Sequence, residues 1–301
     1  MSLRSNPSSK ERGWRRVYKN SRYIRQPVKA FFGSLEIFMP VEPVLEFRIS
    51  TCYGRTEVLH DVECRIAPGE IVALVGLSGS GKSTLALSLL RLIRYRGGDV
   101  TGNIRLSGRE LTALSEREMR ALRGKEIGYI PQSPAAALNE RLRVKTLLEE
   151  TWRAHESKNA PESFFEGLLE SVQLPYSHEL LNRRAGELST GQGQRLLIAL
   201  AIMHSPSVLL ADEPTSALDA ITQAAVLELF RELNRRHGTA MLFISHDLLS
   251  VASLGHRVEI LHEGRIVESG APDVIFREPR HDFTRSLVAA IPQSLPLTLA
   301  L

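Results

Sequence analysis

The chain has 301 residues, 43% of them apolar and 24% charged, a balance that excludes wholesale disorder. It has no Gly-X-Y period and no sustained heptads, which excludes collagen and a long coiled coil. Its formal net charge of +4 is uneven, because residues 1–30 hold nine basic side chains and one acidic one. The longest apolar run, Leu196–Met203, is too short to cross a membrane, which takes about 20 residues. Two cysteines, Cys52 and Cys64, exclude a disulfide framework, and we expect reduced thiols.

Residues 1–42 are predicted to be a basic, disordered extension. Its positive charges are mixed with Trp14, Tyr18 and Tyr23, a combination that suits anionic lipid or a nucleic-acid backbone. The extension also loosely resembles an organelle transit peptide, since it is rich in Arg and Ser and poor in acidic residues. No secretory signal is apparent. Two plainer interpretations are a solvated arm and a translation start at Met39, just before the first strand pattern.

The first third of the chain predicts strands, a glycine-rich loop and a helix. Alternating apolar and polar residues indicate half-buried strands at 45–49 and 58–66. A turn then leads into a fully apolar strand at 71–75, and an apolar helix is predicted at 84–93. This order is typical of an α/β fold with a parallel sheet.

The rest of the chain continues the α/β pattern and adds a helical segment. Residues 142–181 are helical in pattern with breaks near Pro161 and Pro175, which predicts a helical insertion. We expect an irregular tail with a short helix after a hairpin at 258–261 and 265–268. The remaining predicted elements are helices at 111–122, 192–203 and 222–236 and strands at 126–130, 208–211 and 240–244.

The segment Gly76–Ser83 matches the phosphate-loop pattern G-x-x-x-x-G-K-[ST] at every fixed position. Glycines let backbone N–H groups turn towards phosphate oxygens, and the following helix directs its positive end at the same anion. Lys82 supplies a positive charge for the phosphates, and the Ser83 hydroxyl suits Mg²⁺. The pattern predicts nucleoside triphosphate binding, and the strand before and helix after it argue against a mere flexible turn. The predicted nucleotide-binding residues here are Gly76, Ser78, Gly79, Ser80, Gly81, Lys82, Ser83 and Thr84.

A second motif is the pair of acidic residues that follows the apolar strand at 208–211. Asp212 is placed to hold Mg²⁺, and Glu213 to polarise the attacking water as a general base. Such a pair also occurs by chance at strand ends, but the phosphate loop makes chance a poor explanation. Further along, Ser189 and Gln192 have the spacing of a capping box, which predicts a helix start.

These motifs together resemble the ATPase subunit of an ABC transporter, over residues 43 to 290. The resemblance implies an α/β fold: a P-loop NTPase core with a mostly parallel sheet, an N-terminal antiparallel β subdomain and a helical insertion subdomain. The core would comprise 43–137 and 187–270, the helical subdomain 138–186, and the C-terminal tail 271–301. The motifs that carry the resemblance are Gly76–Ser83, Gln132, Leu188–Gln192, Asp212–Glu213, Ser216–Asp219 and His246.

The resemblance also implies roles for single residues. Tyr53 would stack on the adenine of ATP, and Gln132 would contact Mg²⁺ and water and sense the membrane partner. His246 would contact the γ-phosphate beside the catalytic residues Glu213 and Lys82. Taken alone, Tyr53, Gln132 and His246 would each be ordinary residues at a strand end or in a turn.

Such subunits work as face-to-face pairs, in which the Leu188–Gln192 segment of one chain completes the phosphate loop of the other. Ser189, Gly191 and Gln192 would therefore act on the partner's nucleotide, and Asp219 would lie in the loop that crosses the interface. This sequence departs from the family's usual Leu-Ser-Gly-Gly-Gln, because Thr190 stands at the third position. Threonine would be strained there if the position needs a positive φ, and harmless if it does not.

A finer resemblance is to the ATP-binding subunits of oligopeptide, dipeptide and nickel importers. It lies in residues 114–124, 131–139 and 278–287, the last with Asp282–Phe283 where that group has Pro-Tyr. It implies a second ATPase subunit, identical or different, two permease subunits and an extracytoplasmic substrate-binding protein. The subunit would sit peripherally on the cytoplasmic face of the inner (cell) membrane and use ATP and Mg²⁺.

Two other functions fit parts of the sequence. A non-transport ABC-type ATPase acting on ribosomes or nucleic acid is favoured only by the basic extension, whereas the single cassette favours transport and makes a nucleic-acid partner less expected. An exporter subunit of the same fold is disfavoured by the tail. The transported substrate is not encoded in this chain.

Overall fold

The computed structural model describes residues 42–291, so the basic extension and the alternative start at Met39 lie outside the described residues. The described residues form two compact units. The continuous unit is residues 120–230. The discontinuous unit combines residues 42–119 with 231–291.

A four-stranded antiparallel sheet opens the discontinuous unit, with the strand order β2-β1-β4-β5. Leu45, Phe47 and Ile49 of β1 are buried and alternate with more exposed residues, as expected of a sheet with one face on a core. On the other face, Arg48 forms an ion pair with Asp61. The strands are β1 (Leu45–Tyr53), β2 (Thr56–Ile66), β4 (Gly98–Leu106) and β5 (Arg109–Glu110).

A second group of strands in this unit carries the phosphate loop. Strand β3 (Ile71–Val75) pairs in parallel with β8 (Ala240–Ser245) on one side and with β9 (Arg257–His262) on the other. Strand β10 (Arg265–Gly270) returns antiparallel to β9. Every residue of β3 and β8 is buried, which agrees with the apolar runs at 71–75 and 240–244.

Short helices flank these strands. Ala73, Val75, Val258 and Ile260 form an apolar core with residues of the helices that follow β8 and β10. The helices of this unit are α1 (Lys82–Leu89), α9 (Leu248–Leu254), α10 (Pro272–Arg277) and α11 (Asp282–Ala289), with a 3-10 turn at Ile93–Arg96 and the start of α2 (Glu116–Leu122).

The continuous unit combines two parallel strands with a set of helices. Strand β6 (Ile127–Ile130) pairs with β7 (Val208–Asp212). Leu148, Leu168 and Ile198 are fully buried in its core. The helices are α3 (Pro134–Ala137), α4 (Val144–Arg153), α5 (Glu162–Ser171), α6 (His178–Asn182), α7 (Thr190–Ile202) and the start of α8 (Ala220–His237), with a 3-10 turn at Ala185–Glu187.

Several predicted elements need correction. The helix predicted at 84–93 runs from Lys82 to Leu89, and the helix predicted at 111–122 begins only at Glu116. Strands β4 and β5 were missed. The tail, predicted to be largely irregular, contains helices α10 and α11.

Cys52 and Cys64 are both free thiols, as expected. Cys64 is buried, and this burial raises the pKa of its thiol to about 11. Within residues 42–291, none of the helices combines the length and apolar character that a membrane crossing requires.

Candidate functional site

The phosphate loop of the discontinuous unit joins β3 to α1. Gly79 and Gly81 have φ values of +83° and +104°, which side chains rarely adopt. Gly76 is restricted by space instead, because a Cβ there would lie 2.4 Å from the Leu261 carbonyl oxygen and 2.6 Å from Ser80 Oγ. The glycines of the motif are therefore required by the geometry of the loop.

Lys82 begins helix α1 and is 5% exposed. Its Nζ donates hydrogen bonds to the carbonyl oxygens of Gly76, at 2.8 Å, and Leu77, at 2.9 Å. These bonds hold the ammonium group within the curve of the loop. The loop thus gathers a positive charge and the first N–H groups of a helix in one place, which is the chemistry of an anion site.

Ser80 is buried, and its Oγ has no hydrogen-bond partner among residues 42–291. A buried hydroxyl without a partner is unfavourable, so a phosphate oxygen at the loop would satisfy it. Ser78, Gly79 and Ser83 are exposed, and Thr84 is half-buried. The predicted loop residues therefore lie in one continuous segment of this unit, part buried and part open to solvent.

The acidic motif lies in the continuous unit, at the end of β7. Asp212 is buried, and Tyr129 Oη donates to its Oδ2 at 3.5 Å. Sequence analysis missed Tyr129, although the pairing of β6 with β7 could have indicated it. The parallel register pairs Ile130 with Ala211, which brings residues 131 and 132 beside 212 and 213.

Gln132 and Glu213 are in direct contact. Gln132 Nε2 donates to Glu213 Oε2 at 3.0 Å. Glu213 has a φ of +47°, a conformation that costs a non-glycine residue about 1–3 kcal/mol. Ser216 donates to the Glu213 carbonyl oxygen through its backbone N–H and its Oγ. Gln132 thus holds the side chain of Glu213, and Ser216 holds its backbone.

The segment Leu188–Gln192 leads into helix α7 of the continuous unit. Ser189 Oγ accepts from the Gln192 N–H at 3.3 Å, and Gln192 Oε1 accepts from the Ser189 N–H at 3.1 Å. This confirms the predicted capping box. Thr190 is the first residue of the helix and is not among the residues with positive φ, so its position does not require glycine.

Gly191 is constrained by a neighbour that sequence analysis did not identify. A Cβ at Gly191 would lie 2.8 Å from Thr222 Cγ2 in helix α8. Thr222 also donates through its backbone N–H and Oγ1 to the carboxylate of Asp219, at 3.0 Å and 2.7 Å. Asp219 therefore caps helix α8 within its own chain. The Thr222 side-chain hydrogen bond lowers the pKa of Asp219.

Tyr53 and His246 lie at strand ends of the discontinuous unit. Tyr53 ends β1, is half-buried and faces Gly98, where a Cβ would lie 3.2 Å from the tyrosine ring. His246 follows β8 and is exposed. The next residue, Asp247, caps α9 by accepting from the Leu249 N–H at 3.0 Å.

Comparison with known proteins identifies the family of this cassette. The family model for the ABC transporter matches residues 59–216, more than half of the chain. The oligopeptide transport ATP-binding protein OppD of Bacillus subtilis is 40% identical over 251 residues, which are 82% of this chain and 70% of that protein. A putative peptide import ATP-binding protein of Brucella ovis is 38% identical, over 85% of this chain and 79% of its own.

A further relative is the glutathione import ATP-binding protein GsiA of Salmonella typhimurium. It is 38% identical over 79% of this chain, but the match spans only 40% of that longer protein. Among solved structures, the ATP-binding cassette MJ0796, in a dimeric post-hydrolysis state bound to ADP and Pi, is similar with a TM-score of 0.65. That likeness has 25% identity and covers 76% of this chain and 98% of the other. The chain belongs to the ABC transporter family.

Proposed function

We propose that this chain is the ATP-binding and ATP-hydrolysing subunit of an importer for peptides or a related small solute, nickel included. The observation that carries the proposal is the folded phosphate loop, with its enclosed Lys82 and the buried Ser80 hydroxyl. The names of the relatives support import rather than action on ribosomes or nucleic acid. They do not identify the solute for this chain.

In this proposal, the predicted site residues have separate roles toward the nucleotide. Lys82 and the N–H groups of the loop bind the β- and γ-phosphates, while Tyr53 stacks on adenine. Glu213 accepts a proton from the attacking water, and the Gln132 amide orients its carboxylate. His246 contacts the γ-phosphate.

Mg²⁺ fits the available donors, because Ser83, Asp212 and Gln132 offer the hydroxyl, carboxylate and amide oxygens that this ion prefers. When bound, the ion would neutralise part of the phosphate charge. The buried position of Asp212 at the strand end supports the assignment, since an ionised carboxylate in such a place is stabilised by a cation.

A second ATPase subunit, identical or different, completes the proposed assembly. Ser189, Gly191, Gln192 and Asp219 would serve the partner's nucleotide, with the N-terminus of α7 directed at its γ-phosphate. Two permease subunits and an extracytoplasmic substrate-binding protein would provide the pathway. The chain would lie peripherally at the cytoplasmic face of the inner (cell) membrane.

The proposal is tested with Glu213→Gln and Lys82→Ala in the purified transporter. Glu213→Gln removes the proton acceptor, so we expect ATP binding to be retained and turnover to fall by about a hundredfold or more. Lys82→Ala removes a charged donor, so the Kd for ATP should rise by about tenfold to a hundredfold. Steady-state ATPase rates and calorimetric titration with ATP measure the two effects.

Full turnover in Glu213→Gln would refute this residue as the base. Unchanged ATP affinity in Lys82→Ala would refute the phosphate-loop assignment. The proteins that copurify from gently solubilised membranes test the transport role separately. Two polytopic proteins would support it, whereas ribosomes or nucleic acid would contradict it.

A further inference from the structure

We propose that Phe283, in helix α11, is a positioning residue for the phosphate loop, which it reaches through His262 at the end of strand β9. The inference rests on the nucleotide site proposed above and extends that site to the C-terminal helix. All of the residues involved belong to the discontinuous unit.

The first link is the contact between β9 and the start of the loop. Val75, the last residue of β3, pairs in parallel with Ile260. One step further along both strands, the Leu261 carbonyl oxygen lies so close to Gly76 that a Cβ there would be 2.4 Å away. The Leu261 carbonyl group therefore packs against the first residue of the loop. Any shift of β9 would change the position at which the loop starts.

The turn that follows β9 borders the other end of the loop through strand β2. A Cβ at Gly264 would lie 2.1 Å from the Val58 carbonyl oxygen, and the His60 N–H donates to the Gly264 carbonyl oxygen at 2.8 Å. That same Val58 oxygen would lie 3.5 Å from a Cβ on Gly81, the glycine before Lys82. The hairpin end thus contacts the start of the loop directly, and it is linked to the other end of the loop only through Val58 of β2.

Phe283 contacts this hairpin end by ring stacking. The rings of His262 and Phe283 are 3.8 Å apart between centroids and inclined by 17°. His262 is the residue next to Leu261, so the stack fixes the chain immediately beside the carbonyl group that contacts Gly76. Stacking of this kind restrains the orientation of both side chains and adds stabilisation beyond apolar burial.

Helix α11 is also fixed to the unit by contacts that do not involve His262. The Glu268 carboxylate accepts from the N–H groups of Arg280 and His281, at 2.8 Å and 3.0 Å. Leu287 packs on the same apolar core as Phe283. The stack can therefore be removed while the helix keeps its other contacts, and Leu287 offers a matched control.

The test compares Phe283→Leu with Leu287→Ala in the full chain. Phe283→Leu keeps an apolar side chain but loses the ring, so we expect the Kd for Mg²⁺-ATP to rise by about threefold to tenfold. Leu287→Ala removes core packing without touching the stack. It should lower the Tm while the Kd stays within about twofold of the original chain. Calorimetric ATP titration and thermal unfolding give the two readouts.

An unchanged Kd in Phe283→Leu would overturn the inference, as would an equal rise in Leu287→Ala. If Phe283→Leu does not fold, His262→Leu replaces it under the same criteria. Failure of the proposed function is recognised separately, because the original chain would then not bind ATP, or Lys82→Ala would bind it equally well.

Discussion

Asp219 holds the start of helix α8 by accepting hydrogen bonds from the N–H groups of Ile221 and Thr222 and from Thr222 Oγ1. These bonds favour the ionised carboxylate and lower its pKa. The position was predicted to act across a subunit interface, and that role stays a prediction. Within one chain, the same carboxylate has a stabilising role that can be measured independently.

We expect Asp219→Ala to lower the Tm at neutral pH, because the orphan N–H groups of the helix lose their acceptor. The folded-state pKa is below the ordinary value of 3.8, so the stabilisation exists above that value. It is lost as the pH falls through the folded pKa. Thermal unfolding of Asp219→Ala and of the original chain is measured from neutral to strongly acidic pH. The difference between their Tm values should become smaller as the pH falls.

Asp219→Asn is the matched control, since asparagine also caps helices but carries no titrating carboxyl. Its Tm should remain close to that of the original chain at neutral pH. A difference between Asp219→Ala and the original chain that stays constant over the whole pH range would contradict the assigned cap.

At the scale of single elements, the turn between β9 and β10 contains a residue whose backbone conformation lowers the stability of the fold. Glu263 and Gly264 have φ values of +46° and +73°, as a type I′ turn requires. Glycine adopts this conformation readily, whereas glutamate does not. The exposed Glu263 is thus the less suitable of the two turn residues.

We expect Glu263→Asn to raise the free energy of unfolding by about 1 kcal/mol or less, because asparagine tolerates the left-handed conformation. Chemical denaturation of the full chain measures the change. Glu263→Gln is the matched control and should leave stability unchanged. Equal stability of the asparagine and glutamine variants would show that the backbone conformation is not the limiting factor.

The elements that were predicted correctly are those whose apolar pattern is visible within a short segment of the sequence. Strand β3 was predicted with its observed bounds because all five residues are apolar and buried. Strand β4 was missed, since it contains Gly98 and Gly102 and lacks regular alternation. Gly102 has a φ of +104° and lies against β1, where a Cβ would be 2.1 Å from the Arg48 carbonyl oxygen. Pairing with β1, a non-local interaction, makes this segment a strand.

Helix starts depend on capping residues that are close in sequence, and of two such starts one was predicted and one was placed too early. The capping box at Ser189 and Gln192 was visible in the sequence and is confirmed. Helix α2 begins later than predicted, after Ser115, whose N–H and Oγ donate to Glu118. The sequence could predict the motif residues of the site, but the bond from Gln132 to Glu213 depends on the register of β6 and β7. Contacts of this kind come from tertiary pairing, which a local pattern does not encode.

At the scale of the whole molecule, the family membership raises the question of how many chains make one working unit. One solved structure similar to this chain, that of MJ0796, is dimeric. Our proposal assigns the exposed Ser189 and the N-terminus of α7 to a partner's nucleotide. A chain on its own would then hold only part of each hydrolytic site.

We expect the purified chain to have very low ATPase activity when it is monomeric. Turnover per chain should increase with concentration if the chain pairs with itself, or on addition of a second ATPase subunit if it does not. ATPase rates over a dilution series, with sedimentation at the same concentrations, provide the measurement. Full turnover by a chain that sediments as a monomer would contradict the paired arrangement.

The backbone of Glu213 has a consequence for engineering this chain. Its positive φ would be easier for glycine or asparagine, so the folded state contains glutamate at some cost in stability. A directed-evolution campaign that screens only for heat resistance would therefore favour replacing the residue proposed as the general base. Screens for thermostable variants need ATP turnover as a second criterion, because stability and catalysis favour different amino acids at this position.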